Sequence, residues 1–419
     1  MNKRLEAFQT VGSADLAANH HHMLADAPGL GKTLQAIDAV EKIGARNILV
    51  VCPASVRSNW EKEVEECLGD SEGWQIISYN QASSGGYCRM KYDVCILDEA
   101  HFLKTNDSKR TQAIFGNGFG LARRAEYIWP LTGTPVLNRP RELYPVLACL
   151  HPHFAGMSFS KFTQRYCAAF FDGRGIDTRG ASHLDELAGL LQPFMTRRTK
   201  KEAFPGRTAP LVSRVPVELT HEDLKAVNAL EDEIGGREAR ISSVYNDFSA
   251  LGDTSSLLRL LGNAKVRHVV LFVAELLQTV DRIVVFAYHR EVMSALRVAL
   301  AKYNPVTYQG GMSDDQKTAA ISAFKFPGCR VFIGQRVAAG TGINGLQEVA
   351  STCVIAEPSW VPGETEQMID RLDRMGQKDD LVTAYILYAA RTLDAIVVKT
   401  HDRKEKVVEK LMSNPLEGL

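Results

Sequence analysis

Met23-Leu24-Ala25-Asp26-Ala27-Pro28-Gly29-Leu30-Gly31-Lys32-Thr33, followed further along the chain by Ile96-Leu97-Asp98-Glu99-Ala100-His101, decides the fold. The first stretch runs from a strand-like Met23-Leu24-Ala25 through a glycine-rich turn into Thr33–Ile43, which has helix spacing at Leu34, Ile37 and Val40. A phosphate-cradling loop needs that context. Glycines let backbone N–H groups close on phosphate oxygens, and a helix N-terminus adds partial positive charge. Gly29, Leu30 and Gly31 form the turn, Lys32 is placed to reach β- and γ-phosphates, and Thr33 to ligate Mg²⁺. The strict pattern asks for glycine five residues before Gly31; Asp26 stands there, and is expected to lie within the nucleotide site.

The second stretch ends the buried-strand pattern Val94–Leu97 on two carboxylates. Ligands of open α/β sheets gather at the carboxyl ends of strands. Asp98 is expected to hold Mg²⁺ through water, and Glu99 to position and deprotonate an attacking water. The pair of stretches implies nucleotide hydrolysis, and the letters Asp-Glu-Ala-His point to motors that work on nucleic acid. Leu131-Thr132-Gly133-Thr134-Pro135 follows a further strand candidate, where small hydroxyl residues suit a linkage that relays nucleotide state.

The chain has 419 residues, room for two or three domains, and its 45% hydrophobic content is that of a globular protein. No apolar run approaches the roughly 18 residues that a membrane-spanning helix needs. Met1–Glu6 has no apolar stretch behind it, so a signal peptide is not expected; the reading is cytoplasmic and not secreted. The eight cysteines form no Cys-x-x-Cys pair and read as reduced thiols. Formal net charge is zero, so any grip on a polyanion must come from local basic patches.

Two regions alternate strands and helices. The first contains Asn47–Cys52 and Asp93–Leu97 as strands, with a helix opened by a capping box at Ser58-Asn59-Trp60-Glu61 and running to Leu68. The second contains strands at Arg282–Tyr288, Arg330–Gly334, Thr352–Ala356 and Leu381–Leu387. Its helices are expected at Arg290–Lys302, Asp314–Phe324 (capped by Ser313), Glu364–Met375 and Thr392–Met412. Repeated βα units imply parallel sheets covered on both faces. The stretch from Cys149 to roughly Val280 reads as mostly helical and polar. The two expected domains are residues 1–211, an N-terminal lobe with a helical insertion after the Thr-Gly-Thr-Pro motif, and residues 212–419, a helical insertion and a C-terminal lobe.

Gln367, Arg371 and Arg374 are spaced i, i+4, i+7, which predicts one helix face. Two arginines on one face can meet a triphosphate bidentately. The alternative is a solvated face on which Asp370 and Asp373 pair them. Arg197-Arg198-Thr199-Lys200-Lys201 is open between DNA contact, a brace between lobes and a solvated face. His20-His21-His22 reads as a loop end rather than a metal site.

The order of these blocks resembles the Swi/Snf family of superfamily 2 helicase-like ATPases. Matching segments are Phe8-Gln9, Leu24–Thr33, Val51–Ser55 with Asn59-Trp60, Asp98–His101, Leu131–Leu137, Arg197–Lys201, Val284–Glu291, Tyr308–Gly311, Ala339–Asn344 and Gln367–Gln377. The resemblance implies two RecA-like parallel-sheet lobes with helical insertions between them, ATP with Mg²⁺ as the nucleotide, and double-stranded DNA, including forked or branched DNA, as the partner of a monomer. It further implies translocation without full strand separation. By the same resemblance Gln9 reads adenine, and Gly342 joins Gln367, Arg371 and Arg374 at the nucleotide from the second lobe. Ser55, Trp60, His289, Arg290, Gln309 and Thr341 are its candidate DNA contacts. Two departures stand out: Ala27-Pro28 where the family has Glu-Met, and Asp373 where it has His. With no appended histone- or DNA-reading module visible and short helical insertions, the chain is expected to resemble compact bacterial or phage members more than nuclear remodellers. The rival readings are a strand-separating DNA or RNA helicase and a non-catalytic nucleic-acid-binding scaffold; intact Lys32, Asp98, Glu99, Arg371 and Arg374 oppose the second.

Overall fold

The computed structural model describes residues 2–85, 91–116, 120–173, 175–233, 251–336 and 343–412, without the side chains of 251–254 and 403. The chain divides into two compact units, Met1–Gly206 with Lys406–Leu419, and Arg207–Glu405.

The first unit is built on a six-stranded sheet. Its strands are β1 (Met23–Leu24), β2 (Ile48–Cys52), β3 (Trp74–Ser78), β4 (Tyr92–Asp98), β5 (Ala125–Leu131) and β8 (Met195–Thr196) in the order β3-β2-β4-β5-β1-β8. Every neighbouring pair is parallel, so all carboxyl ends share one edge. A separate two-stranded hairpin, β6 (Phe170–Phe171) and β7 (Ile176–Asp177), is antiparallel. Burial alternates along β2: Ile48, Val50 and Cys52 pack into one core with Leu16, Ile37, Val40 and Trp60. Leu49 and Val51 point into the opposite core with Leu97, Leu147 and Phe154. A strand buried on both faces is a continuous apolar run, which is why Ile-Leu-Val-Val-Cys was legible. Helices α1 (Ala7–Ala18), α2 (Lys32–Ile43) and α3 (Arg57–Leu68) supply the first of these cores. The capping box expected at Ser58 does not form. Helix α3 begins at Arg57 after the tight turn Ala54–Val56, so Ser58 already lies inside it.

The second unit carries β9 (Leu211–Val217), β10 (Ile283–Ala287), β11 (Val306–Tyr308), β12 (Val331–Gln335), β13 (Thr352–Ile355) and β14 (Thr383–Ala389) in the order β11-β12-β10-β13-β14-β9. This sheet is parallel throughout. Val284 and Phe286 face one core, and Ile283, Val285 and Ala287 the other. The box at Ser313 forms as expected: Gln316 N donates to Ser313 Oγ at 3.2 Å and Ser313 N to Gln316 Oε1 at 2.9 Å. The stretch from Cys149 to roughly Val280 is mostly helical as expected, with helices at Phe159–Tyr166, Leu184–Leu191, His221–Glu233 and Leu251–Leu276, but it also supplies β8 to the first sheet and β9 to the second. No described helix is long and apolar enough to cross a membrane.

Candidate nucleotide site and nucleic-acid face

The glycine-rich loop leaves β1 at the carboxyl edge of the first sheet and opens α2 at Lys32. Gly29 and Gly31 sit at φ 83° and 70°, the left-handed region that side chains resist. A Cβ on Gly31 would lie 2.5 Å from Gln9 Nε2. The first-turn N–H groups of α2 have no intrahelical acceptor by geometry. Lys32 Nζ donates to the main-chain oxygens of Asp26 (2.7 Å) and Ala27 (3.4 Å). Neutral carbonyls are acceptors that a phosphate oxygen can replace, so this donor set fits a polyphosphate.

Three expectations about the loop change. Asp26 does not face a phosphate: it is wholly buried, its carboxylate accepting from Arg198 Nε at 2.9 Å, Arg198 Nη2 at 3.0 Å and Gln35 Nε2 at 3.0 Å. A carboxylate without that guanidinium would be a costly buried charge, which is why it turns inward. Leu30 buries its side chain, and its N–H is spent on Ala27 O at 3.3 Å. Gln9 is 1% exposed and clamps the loop: Nε2 donates to Leu30 O at 3.1 Å while Oε1 accepts from Glu6 N at 2.9 Å. Buried against the loop in this way, the amide is turned to Leu30 and Glu6 rather than to an open base pocket. Pro28, one of the departures from the family pattern, packs where a Cβ on Gly133 would lie, 2.5 Å from Pro28 Cγ.

Asp98 ends β4 on the same edge. Its Oδ2 accepts from Trp60 Nε1 at 2.7 Å, its Oδ1 from Glu99 N at 2.9 Å, and its main-chain oxygen from Tyr79 Oη at 2.8 Å. Burial, then the Glu99 charge, push its carboxyl up to about 6, against the lowering pull of Trp60 and Lys32. Adjacent carboxylates Asp98 and Glu99 at a strand end, next to the phosphate loop's edge, fit an Mg²⁺ site. Thr33, half-buried in the first turn of α2, is the hydroxyl available from the loop. Glu99 adopts φ 50°, a strained conformation for a side-chain-bearing residue. Its carboxylate lies 3.2 Å from His101 Nδ1, which is also 3.1 Å from Thr132 Oγ1; Thr134 N in turn donates to that hydroxyl at 3.2 Å. The Thr-Gly-Thr-Pro segment is thus wired to Glu99 through His101, a link sequence spacing does not reveal.

In the second unit the helix opened by Pro362 ends at Ile369. Gln367 lies in it, but Arg371 and Arg374 follow in the turns beyond, so the three do not share a helix face. The arginines nevertheless converge: Nη1 of each donates to Ile343 O, at 3.3 and 3.2 Å, and Arg374 Nε donates to Asp370 O at 2.9 Å. The alternative of a wet, solvated face does not hold. Asp370, Arg371 and Asp373 are buried, and Asp373 is salt-bridged to Arg207 at 2.7 Å. Gly342 and Thr341 lie outside the described residues.

The expected DNA contacts divide. Ser55 is half-buried in the turn after β2. Arg290 is exposed and donates to Gly310 O at 2.8 Å, next to half-buried Gln309. His289 sits just before the helix Arg290–Ala299, its Nδ1 2.5 Å from Glu357 Oε1. All four follow carboxyl ends of strands. Trp60 does not belong with them: it is 1% exposed in the α2–α3 core with its N–H turned to Asp98. Arg198, from the basic run, braces Asp26 within the first unit rather than standing as a solvated face. The three consecutive histidines go three ways: His20 stacks on Tyr127, His21 meets Leu150 O, and His22 meets Thr196 Oγ1.

Residues 13–96 and 74–229 match the SNF2-related domain, a span of over half the chain, and residues 265–376 match the helicase conserved C-terminal domain. The chain is 29% identical over 432 residues to a Mus musculus protein named DNA annealing helicase and endonuclease ZRANB3, covering 95% of this chain and 40% of that protein. It is 28% identical over 441 residues to the Drosophila melanogaster SWI/SNF-related matrix-associated actin-dependent regulator of chromatin subfamily A-like protein 1, covering 97% of this chain and 56% of that one. The chain therefore spans about two fifths to little over half of these relatives. A solved structure titled Sulfolobus solfataricus SWI2/SNF2 ATPase core in complex with dsDNA is 20% identical, covering 99% of this chain and 98% of that one, with a TM-score of 0.46. With a phosphate loop and a carboxylate pair on one parallel-sheet edge, and both domain families matched in order, this chain belongs to the SNF2-related family of helicase-like ATPases.

Proposed function

We propose that the chain is a DNA-dependent ATPase that translocates on double-stranded DNA, including forked or branched DNA, as a cytoplasmic monomer using ATP and Mg²⁺. The observation that carries this reading is the gathering of Lys32, Asp98 and Glu99 on the carboxyl edge of one parallel sheet. Lys32 exchanges its carbonyl acceptors for phosphate oxygens, and the N–H groups of Gly29, Gly31, Lys32 and Thr33 close on the same group. Thr33 and Asp98 hold Mg²⁺, which when bound neutralises charge on the β- and γ-phosphates. Glu99, oriented by His101, accepts the proton of the attacking water. Gln367, Arg371 and Arg374 act from the second lobe on charge that develops in the transition state. Ser55, His289, Arg290 and Gln309 meet DNA phosphates. The seven described cysteines are all free, which suits a reducing compartment. The bacterial or phage type expected from short insertions and the lack of an appended module draws no support from the mouse and fly relatives named above.

Strand separation stays in view for one reason. Hairpin β6–β7 exposes Phe170 (58%), Phe171 (71%) and Ile176 (64%), the kind of apolar tip that can wedge between bases. The deciding experiment measures ATPase rate with no nucleic acid, single-stranded DNA, duplex DNA and forked DNA, alongside a fluorescent duplex-unwinding assay and Glu99→Gln as the inactive control. Duplex stimulation that fades with rising salt, without unwinding, is the expected result. A rate indifferent to every nucleic acid overturns the motor reading.

A further inference from the structure

We propose that Trp60 is a positioning residue for the Asp98 carboxylate, setting how that carboxylate meets Mg²⁺. The inference rests on the ATPase reading above and concerns a residue that the motif order would place on the nucleic-acid face. A buried indole needs an acceptor for its N–H. Trp60 is packed in the core with Val50, Ile96 and Trp129. Its N–H reaches Asp98 Oδ2 at 2.7 Å, a charge-assisted length. The other carboxylate oxygen is held by Glu99 N at 2.9 Å, and the Asp98 carbonyl by Tyr79 Oη at 2.8 Å. With one fixed donor on each oxygen the carboxylate plane has a single setting, and each oxygen keeps a lone pair for a metal or its water. Of the two carboxylate donors, the Glu99 amide is main chain, so only the indole can be removed by substitution. Phenylalanine fills most of the same space and deletes that donor.

The test is Mn²⁺ binding followed by electron paramagnetic resonance in the presence of ADP, on the full chain. Trp60→Phe should weaken Mn²⁺ binding about 10- to 100-fold, the usual cost of losing a group that orients a ligand. Asp98→Asn should weaken it at least as much, and the double variant no further than Asp98→Asn alone, because Trp60 acts through Asp98. Affinity within about twofold of wild type in Trp60→Phe, or penalties that multiply in the double variant, overturns the inference. A second measurement avoids a folding defect in Trp60→Phe. The indole ¹⁵N–¹H signal that moves in Asp98→Asn should also move when Mg²⁺ and ADP are added to the wild-type chain, and stay put with ADP alone; an unmoved signal overturns the inference. A wild-type chain that binds no Mn²⁺ with ADP overturns the ATPase reading itself, which separates the two failures.

Discussion

The first lobe holds its phosphate loop with side chains drawn from far apart in sequence: Gln9 and Gln35 on Leu30 O, and Arg198 bidentate on buried Asp26. The second lobe presents Arg371 and Arg374 on turns beyond a helix end, both donating to the neutral carbonyl of Ile343. The difference is one of purpose. A guanidinium sealed against a buried carboxylate is structure, and removing it strands a charge. The second-lobe guanidiniums meet a main-chain carbonyl on an irregular segment, where, on the proposed function, they serve an anion.

Breaking the second lobe's side of this contrast should give the largest effect. Arg371→Ala and Arg374→Ala are each expected to lower DNA-stimulated kcat by about 10³–10⁵-fold, with melting temperature and ATP affinity much less changed. Steady-state kinetics with a thermal melt as control checks this; normal turnover in both variants would remove the two-lobe mechanism. Arg198→Ala should do the reverse and lower stability first. Leaving Asp26 charged and buried costs about 3–5 kcal/mol, and urea unfolding of the variant measures it. A variant of unchanged stability would show that the brace is dispensable.

A smaller, pH-dependent effect sharpens the contrast on the second lobe's side. Burial, then the nearby Arg214 charge, push His401 down to about 4 from 6.5. The unfolded chain therefore takes up this proton before the folded one does. The contribution is fully present above about pH 6.5 and is lost as pH falls toward 4, by about 3 kcal/mol in all. Urea midpoints across that window should fall less steeply in His401→Phe than in the wild type; parallel curves would exclude His401 as the group responsible.

Strands buried on both faces were plain from their apolar runs, as with Ile48–Cys52 and Ile283–Ala287. Strand β9 was not, because Leu211–Val217 lies at a sheet edge, alternates with solvent and contains Pro216 and Arg214. Local chemistry singled out Lys32, Thr33, Asp98 and Glu99, which the fold brings to one sheet edge. Partnerships across the chain stayed hidden: Arg198 meets Asp26 across 172 residues, and Trp60 meets Asp98 across 38. The 3.6-residue spacing of Gln367, Arg371 and Arg374 misled because tertiary contacts, among them Asp373 with Arg207, hold the segment in turns where periodicity alone would continue the helix.

The fit of Pro28 against Gly133 makes the two positions interdependent. A methyl group at 133 would come within 2.5 Å of Pro28 Cγ and 2.8 Å of Cδ, a stiff ring that cannot swing aside. While proline occupies 28, position 133 is closed to every side chain. A side chain at 133 therefore demands a change at 28 first, so the two positions are coupled and a paired substitution must be made in that order.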